Sequence, residues 1–449
     1  MNYRSRLLAG FVVLGLWAQA AQASRLPEPG GRADIALPAA MEDAFIRAHV
    51  SIPLVVRSVA GDGWFSESIV SWSSPDAGLT WNLLVKGDAK SLVRDLERCL
   101  SVQNASQFWP AALLGAADIE MQLTSKPGMV NVRFTRAFGP LMQLLEGCIV
   151  GSIREAPFIG PFAPMGIDAL DSNLKSAVSR PLLERIVLAR DGYVADLRVG
   201  AQAVDASRSV MLAPYPDVIM LLQSEEARQK DPLGLFGKGV DALDHFYRYL
   251  RTDVFVSVYA GGRGVAFRAL LPPGLMQDRQ LDDNDQSASP PPLRLQAKFD
   301  PSQVVSLECN PEDVLSYGFC ERVAMIVRSK DFLAQTYAPT ESIKPELRMV
   351  RWRSPSADPG LAMLHLLSRY PELSMGLDRD RWVRPLVHLD QAKRVEAALE
   401  LEQHLMSEYR AIPLVTVDLA LDVNNGLKGV RVREDGVPLL WDAWWGSAR

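Results

Sequence analysis

Residues 76–100 read DAGLTWNLLVKGDAKSLVRDLERCL. Residues 81–85 (WNLLV) form a short apolar run of strand type. From Ala89–Leu100, Leu92, Val93, Leu96 and Leu100 recur at three- and four-residue spacing, which places them on one face of a helix. The same alternation continues on both sides. Residues 33–37 read as a short strand, 129–135 (MVNVRFT) alternate like one, and 140–145 open a helix. Residues 185–189 and 218–222 are compact apolar runs of buried-strand type, and Leu347–Trp352 (LRMVRW) reads as a strand. Residues 391–410 give the strongest helix, with Ala392, Val395, Leu399, Met406 and Tyr409 on one stripe and Lys393, Arg394, His404 and Glu408 opposite. Pro413 ends it, 414–423 returns to strand chemistry, and Asn424-Asn425-Gly426 marks a turn. Strands alternating with helices give an α/β class.

The 449 residues are 48% hydrophobic and 22% charged, which supplies apolar material for the core of an ordinary globular chain. The length fits two lobes, or two to four domains at roughly 100–200 residues each. Gly 31 and Pro 30 are ordinary counts and exclude collagen-like and disordered classes. The formal net charge of −5 offers no basic excess for phosphate neutralisation, so no nucleic-acid partner is expected. Residues 282–292 (DDNDQSASPPP) cannot build a packed core and read as an exposed loop before a strand at 293–297.

Export is the expectation from the start of the chain. Arg4 and Arg6 precede an uncharged apolar stretch at 7–18, and Ala21-Gln22-Ala23 supplies small residues at a cleavage position, the layout of a signal peptide over 1–23. Twelve apolar residues span only ~18 Å as a helix, short of a bilayer core. With no cysteine near the cut, a periplasmic form without a lipid anchor is expected. In an oxidising compartment Cys99, Cys148, Cys309 and Cys320 can form bridges. Three pairings are possible; proximity in the chain favours Cys309 with Cys320 and Cys99 with Cys148, and buried thiols are the alternative.

Catalytic chemistry finds little support. His49, His245, His365, His388 and His404 are dispersed without metal-ligand spacing, and no C-x-x-C or G-x-S-x-G occurs. Gly261-Gly262-Arg263-Gly264 lacks the lysine and serine or threonine of a phosphate cradle and reads as a loop. The pairs Glu225-Glu226 and Asp282-Asp283 read as solvated faces, and the sequon at Asn104 as incidental. The expectation is therefore a protein that is no enzyme, with no cofactor and no metal.

Several weak motifs share an order that resembles the family-5 extracellular solute-binding proteins, the oligopeptide-, dipeptide- and nickel-binding components of ABC importers. Gly30-Gly31 before 33–38 is similar to that family's opening, and Asp76 to Trp81 to its "DGLTW" strand entry. Residues 91–98 (SLVRDLER) look like its following helix, Gly160-Pro161-Phe162 like its "GTGPF" turn, and 181–187 (PLLERIV) like its "PYLDRIVF" segment. Residues 271–274 (LPPG), Trp352 with Asp358-Pro359, 412–414 (IPL), Gly429-Val430 and the stretch from Pro438 to Trp444 complete the series. No single piece is specific; their order across nearly the whole chain carries the resemblance.

The resemblance implies a two-lobed periplasmic-binding-protein fold with a ligand cleft between the lobes: lobe one from 24–216 plus 421–449, and lobe two from 217–420. It implies a monomer that takes a small solute, possibly a peptide, to an ABC permease. It also implies Trp352, Arg353 and Asp358 as ligand-binding residues, with Trp352 a flat apolar wall and Arg353 a partner for a carboxylate. Trp352 in the core and Arg353 at the surface is the alternative. Trp441, Trp444 and Trp445 read as lobe packing. Two departures favour a second reading, a secreted sensory or structural relative that has left transport. The link at 85–89 (VKGDA) is short where the family has a longer stretch. Pro355 also stands where peptide-binding members carry an aspartate for the ligand's amino terminus.

Overall fold

The computed structural model describes residues 31–57, 63–104, 109–150, 162–164, 173–176, 183, 185–189, 195–200, 207–234, 246–259, 263–275, 303–340 and 344–446. The expected signal peptide, the loop at 282–292, the strand at 293–297, Gly261-Gly262 and residues 105–106 of the sequon lie outside them.

Two large sheets organise the chain. The seven-stranded sheet runs, in spatial order, Phe162–Pro164, Asn173–Ser176, Arg185–Leu188, Arg32–Ala36, Leu197–Val199, Ala420–Asn424 and Arg208–Leu212. The six-stranded sheet runs Gly264–Ala266, Ala411–Val417, Asp217–Gln223, Leu347–Trp352, Val304–Glu308 and Leu333–Tyr337. The chain passes between them twice. Arg208–Leu212 leads through Pro214 and Pro216 into Asp217–Gln223, and Ala411–Val417 leads through Asp418 and Leu419 into Ala420–Asn424. The strands are antiparallel partners on both sides of the crossing. The Ala213 N–H donates to the Leu419 carbonyl at 2.9 Å within it. One two-stranded ribbon thus runs through both sheets, and the expected single strand at 414–423 is two strands broken where the chain changes sheet.

Every residue of Asp217–Gln223 (DVIMLLQ) is buried, as its continuous apolar run requires of a strand covered on both faces. Alternate side chains feed different cores: Ile219 and Leu221 join Phe319, Val323 and Leu347, whereas Val218, Met220 and Leu222 join Leu364, Leu401 and Leu405.

A four-stranded antiparallel sheet, Ile69–Ser73, Thr80–Val85, Met129–Phe134 and Met121–Lys126, carries the opening motif. Helix Ala89–Leu100 forms at its expected bounds, with Leu92, Leu96 and Leu100 buried and the Asp88 carboxylate capping the Lys90 and Ser91 N–H groups. This layer shares its core with the helices Pro359–Arg369 and Gln391–Ser407 over the six-stranded sheet, whereas the seven-stranded sheet has a core of its own. Gly139 shows how close the contact is: an added Cβ would stand 2.3 Å from the Leu389 backbone.

Gln391–Ser407 differs from its expected orientation. Arg394, Ala397, Ala398, Leu401, Glu402 and Leu405 are the buried face, and Ala392 is exposed. Two charged residues turn inward because each meets fixed partners: Arg394 meets Asp358, and Glu402 accepts from the Leu270 and Leu271 N–H groups at 2.6 and 2.8 Å.

Val437, Leu440 and Ala443 join the core of the seven-stranded sheet. His49, fully buried, donates from Nδ1 to the Phe45 carbonyl at 2.7 Å and accepts from the Leu440 N–H at Nε2, 3.1 Å. Trp441 donates to the Ala48 carbonyl and Trp445 to the Arg32 carbonyl, which ties both tryptophans to the elements around the seven-stranded sheet.

The cysteines pair as Cys99–Cys148 and Cys309–Cys320. The first joins helix Ala89–Leu100 to the segment after Leu141–Glu146 across a sequence separation of 49. Replacing both Cys99 and Cys148 by serine is expected to cost about 4 kcal/mol by chain entropy, read as a lower midpoint in urea unfolding. An unchanged midpoint would contradict the bridge's contribution.

Burial lowers the His49 pKa from 6.5 to about 4, with Arg433 acting in the same direction and the Phe45 hydrogen bond against it. As pH falls through 6.5 the unfolded chain takes up this proton first, so the contribution is complete above pH 6.5 and is lost toward pH 4, roughly 3 kcal/mol in all. His365 acts with the same sign and Glu146, raised to about 7, with the opposite sign. The measured quantity is therefore a difference: His49→Gln should show a shallower loss of stability between pH 6.5 and 4.5 than the parent. Parallel curves would contradict the assignment.

Candidate functional site

Where strand Leu347–Trp352 leaves the six-stranded sheet, residues 353–358 (RSPSAD) lead into helix Pro359–Arg369. The buried Ser354 hydroxyl donates to the Ser356 carbonyl and accepts from the Ser356 N–H, and the Ser356 hydroxyl accepts from the Asp358 N–H. The loop is thus folded on itself. Asp358 then caps the helix by accepting from the Leu361 N–H at 3.1 Å, with Pro359 in the first turn. An Asp-Pro pair before an apolar run is a helix start, and this signal was present in the sequence.

Three residues expected to bind ligand have defined places. Trp352 is 3% exposed in the core, and its Nε1–H donates to His365 Nδ1 at 3.0 Å. Burial lowers the His365 pKa to about 4, which keeps that nitrogen an acceptor. Asp358 is 2% exposed, and its other oxygen accepts from Arg394 Nε and Nη2 at 2.9 and 2.7 Å. Arg394 also donates to the His388 and Leu389 carbonyls. Arg353 is partly buried and spans the crossing: Nε donates to Asp217 at 2.5 Å and Nη1 to the Asp435 carbonyl at 3.1 Å. Gly436, at φ +80, leaves room for it, since an added Cβ would fall on the Arg353 guanidinium.

Of the three, Asp358 borders a cavity. Among the described residues, this open space of about 240 Å³ is lined by Ala357, Asp358, Gln391, Arg57, Gly63, Trp64 and Gln143. Arg57 and Trp64 are cross-strand partners in the short pair Val56–Arg57 and Trp64–Phe65, and the guanidinium sits 5.0 Å from the ring centroid. Arg57 also lies 4.0 Å from the Glu146 carboxyl. Burial, reinforced by Glu434 and opposed by Arg57 and Arg433, pushes the Glu146 pKa up to about 7. Sequence reasoning missed Arg57, Trp64, Gln143 and Gln391, because no spacing rule links four segments that meet only after folding.

Among the described residues, two larger hollows lie elsewhere. One of about 490 Å³ is lined by Leu222, Lys344, Glu346, Arg348, Glu372 and Met375 at the far end of strand Asp217–Gln223. Its charges are largely engaged, Lys230 with Glu346 and Arg348 with Glu372. The other, about 570 Å³, lies between helices Thr252–Tyr259 and Val314–Arg328. Among the described residues, no group of three or more His, Cys, Asp or Glu side chains is placed to hold a metal ion, and no helix is long and apolar enough to cross a membrane.

The Asp358–Arg394 pair fixes one wall of the small cavity. Asp358→Ala leaves a buried guanidinium uncompensated and should cost about 3–5 kcal/mol. Adding Arg394→Met should recover part of that loss, so the double variant should lose less than the sum of the singles in urea unfolding. Strictly additive losses would contradict the coupling.

No family model and no curated protein matches this chain by sequence. Solved structures do match it. The periplasmic binding protein DppA from Helicobacter pylori, in complex with the peptide STSA, superimposes with a TM-score of 0.70 at 11% identity, over 94% of this chain and 99% of the other. NikA from Staphylococcus aureus, in complex with Ni(L-His)2, gives 0.66 at 11%, over 91% and 98%. The dipeptide binding protein from Pseudoalteromonas sp. SM9913, in complex with Met-Leu, gives 0.65 at 10%, over 92% and 100%. Two mixed α/β sheets joined by a double crossing, matched over more than nine-tenths of the chain, establish its architecture: it has the fold of the family-5 solute-binding proteins of ABC transporters.

Proposed function

We propose that this chain is an exported solute-binding protein, which captures a peptide or similar small solute between two lobes in the periplasm and delivers it to an ABC permease. The observation that carries the reading is the ribbon crossing between two sheets, in a fold whose neighbours hold a peptide, a dipeptide or a nickel–histidine complex. Residues 1–23 fit an export signal, and two disulfides fit an oxidising compartment.

In this reading one lobe is built on the seven-stranded sheet, from within 24–216 plus 421–449, and the other on the six-stranded sheet within 217–420. A solute that touches both favours the closed arrangement by its differential affinity. Shifting closure from 1:99 to 99:1 takes about 5.5 kcal/mol of such difference. Trp352 and Asp358 then act indirectly, by setting the loop that lines the cavity, and Arg353 by tying it to the crossing.

A specific observation favours the second reading, a secreted interaction module. Pro355 carries no charge and Asp358 is occupied by Arg394, so this loop offers a peptide ammonium no available acid. Thermal-shift screening of the purified mature chain against peptides, nickel–histidine and sugars separates the two. Transport predicts a solute that, at 100 times its dissociation constant, adds about 2.7 kcal/mol of stability. No shift with any library would favour the interaction module.

A further inference from the structure

We propose that Arg353 is a latch across the crossing. Its guanidinium stays bound to the six-stranded sheet through Asp217, and its hydrogen bond to the Asp435 carbonyl holds the arrangement of the lobes seen in this structure. This rests on the solute-binding reading, in which two lobes change their relative arrangement, and names the contact that parts when they do.

The two contacts of Arg353 belong to different sheets. Asp217 opens strand Asp217–Gln223, and the next residue, Val218, pairs with Trp352 in the same six-stranded sheet, so Arg353 and its carboxylate partner travel together. Both members of that pair are charged and largely buried, and parting them is strongly disfavoured. On the other side the acceptor is a neutral carbonyl, and this contact is the weaker of the two. Asp435 lies in the turn between the paired strands Arg431–Val432 and Pro438–Leu439, a hairpin whose Val437 and Leu440 enter the core of the seven-stranded sheet. The turn is fixed by its own bonds. The Gly436 N–H donates to the Arg433 carbonyl at 2.9 Å, and the Asp435 carboxylate accepts from the Val437 N–H at 3.2 Å and from Arg433 Nε at 3.0 Å. The Asp435 carboxylate is thus engaged within the turn, and the carbonyl is what meets Arg353, at 3.1 Å. Gly436 makes room for this meeting. It has φ +80, and an added Cβ would fall on the Arg353 guanidinium and stand 2.6 Å from Leu419, in the second passage between the sheets. Rotation of one sheet against the other about the two passages carries the turn away from Arg353 while Asp217 moves with it, so the Asp435 bond is the one that yields.

The test measures, by electron–electron double resonance on the solute-free mature chain, the distance between spin labels at Glu42→Cys and Gln335→Cys. Both positions are exposed, one on helix Ala39–Val50 against the seven-stranded sheet and the other on edge strand Leu333–Tyr337 of the six-stranded sheet. Arg353→Lys keeps a charge for Asp217 but loses the fork that reaches both partners, and Gly436→Ala displaces the guanidinium. Each should raise the share of a second distance by about two- to tenfold, the scale of one hydrogen bond. The double variant should shift no further than the larger single, because both remove the same bond. Gly376→Ala, at φ +70 with open space around it, carries similar backbone strain without touching the crossing and should leave the distances unchanged. Circular dichroism checks folding, and the lysine variant keeps the test open if Gly436→Ala fails to fold. Unchanged distances in both variants, additive shifts in the double, or an equal shift from Gly376→Ala would overturn the latch; movement on adding a solute from the thermal-shift screen would then leave solute binding standing. One fixed distance in parent and variants, with and without every solute of that screen, would overturn both readings.

Discussion

The fold depends on one constraint: the chain must pass from one sheet to the other twice, side by side, without leaving the crossing unsatisfied. Asp217 stands where the first passage enters the six-stranded sheet, 4% exposed, and accepts from Arg351 at 2.6 Å and Arg353 at 2.5 Å. Arg353 extends the network to the Asp435 carbonyl in the C-terminal hairpin of the other sheet's core. A carboxylate so buried is tolerable because two guanidinium groups meet it. The second passage is tied to the first by the Ala213–Leu419 hydrogen bond. Any relative movement of the sheets must bend this ribbon or remake the Arg353 contacts.

The loop at 353–358 is anchored at both ends by buried charge pairs, Arg353–Asp217 and Asp358–Arg394. Its side chains serve position, and the groups left facing the small cavity come from elsewhere. The acids are consumed in fixing structure, whereas the wall offers amides and a guanidinium.

The four-stranded sheet adds a second attachment. Its layer packs on Pro359–Arg369 and Gln391–Ser407, with Trp81 Nε1–H donating to the Phe138 carbonyl beside Gly139. Arg57 and Trp64 are held near this layer and Asp358 and Gln391 by the helices, so the cavity forms where the two layers meet.

Local chemistry was legible because it is written in adjacent residues. Helix Ala89–Leu100, strand Leu347–Trp352 and the turn at Asn424 follow from periodicity and turn residues, and the cysteine pairs agree with proximity in the chain. The order of weak motifs also indicated the fold. What folding alone decided is which polar groups find partners. Arg394 looks like a surface residue until Asp358, 36 positions away, turns it inward; Trp352 looks like an open wall until His365 and the core close over it. Arg57, Gln143 and Gln391 share no register in the sequence and meet only across packed layers. Periodicity is set by backbone geometry within a few residues, whereas burial and pairing depend on which distant surfaces come into contact.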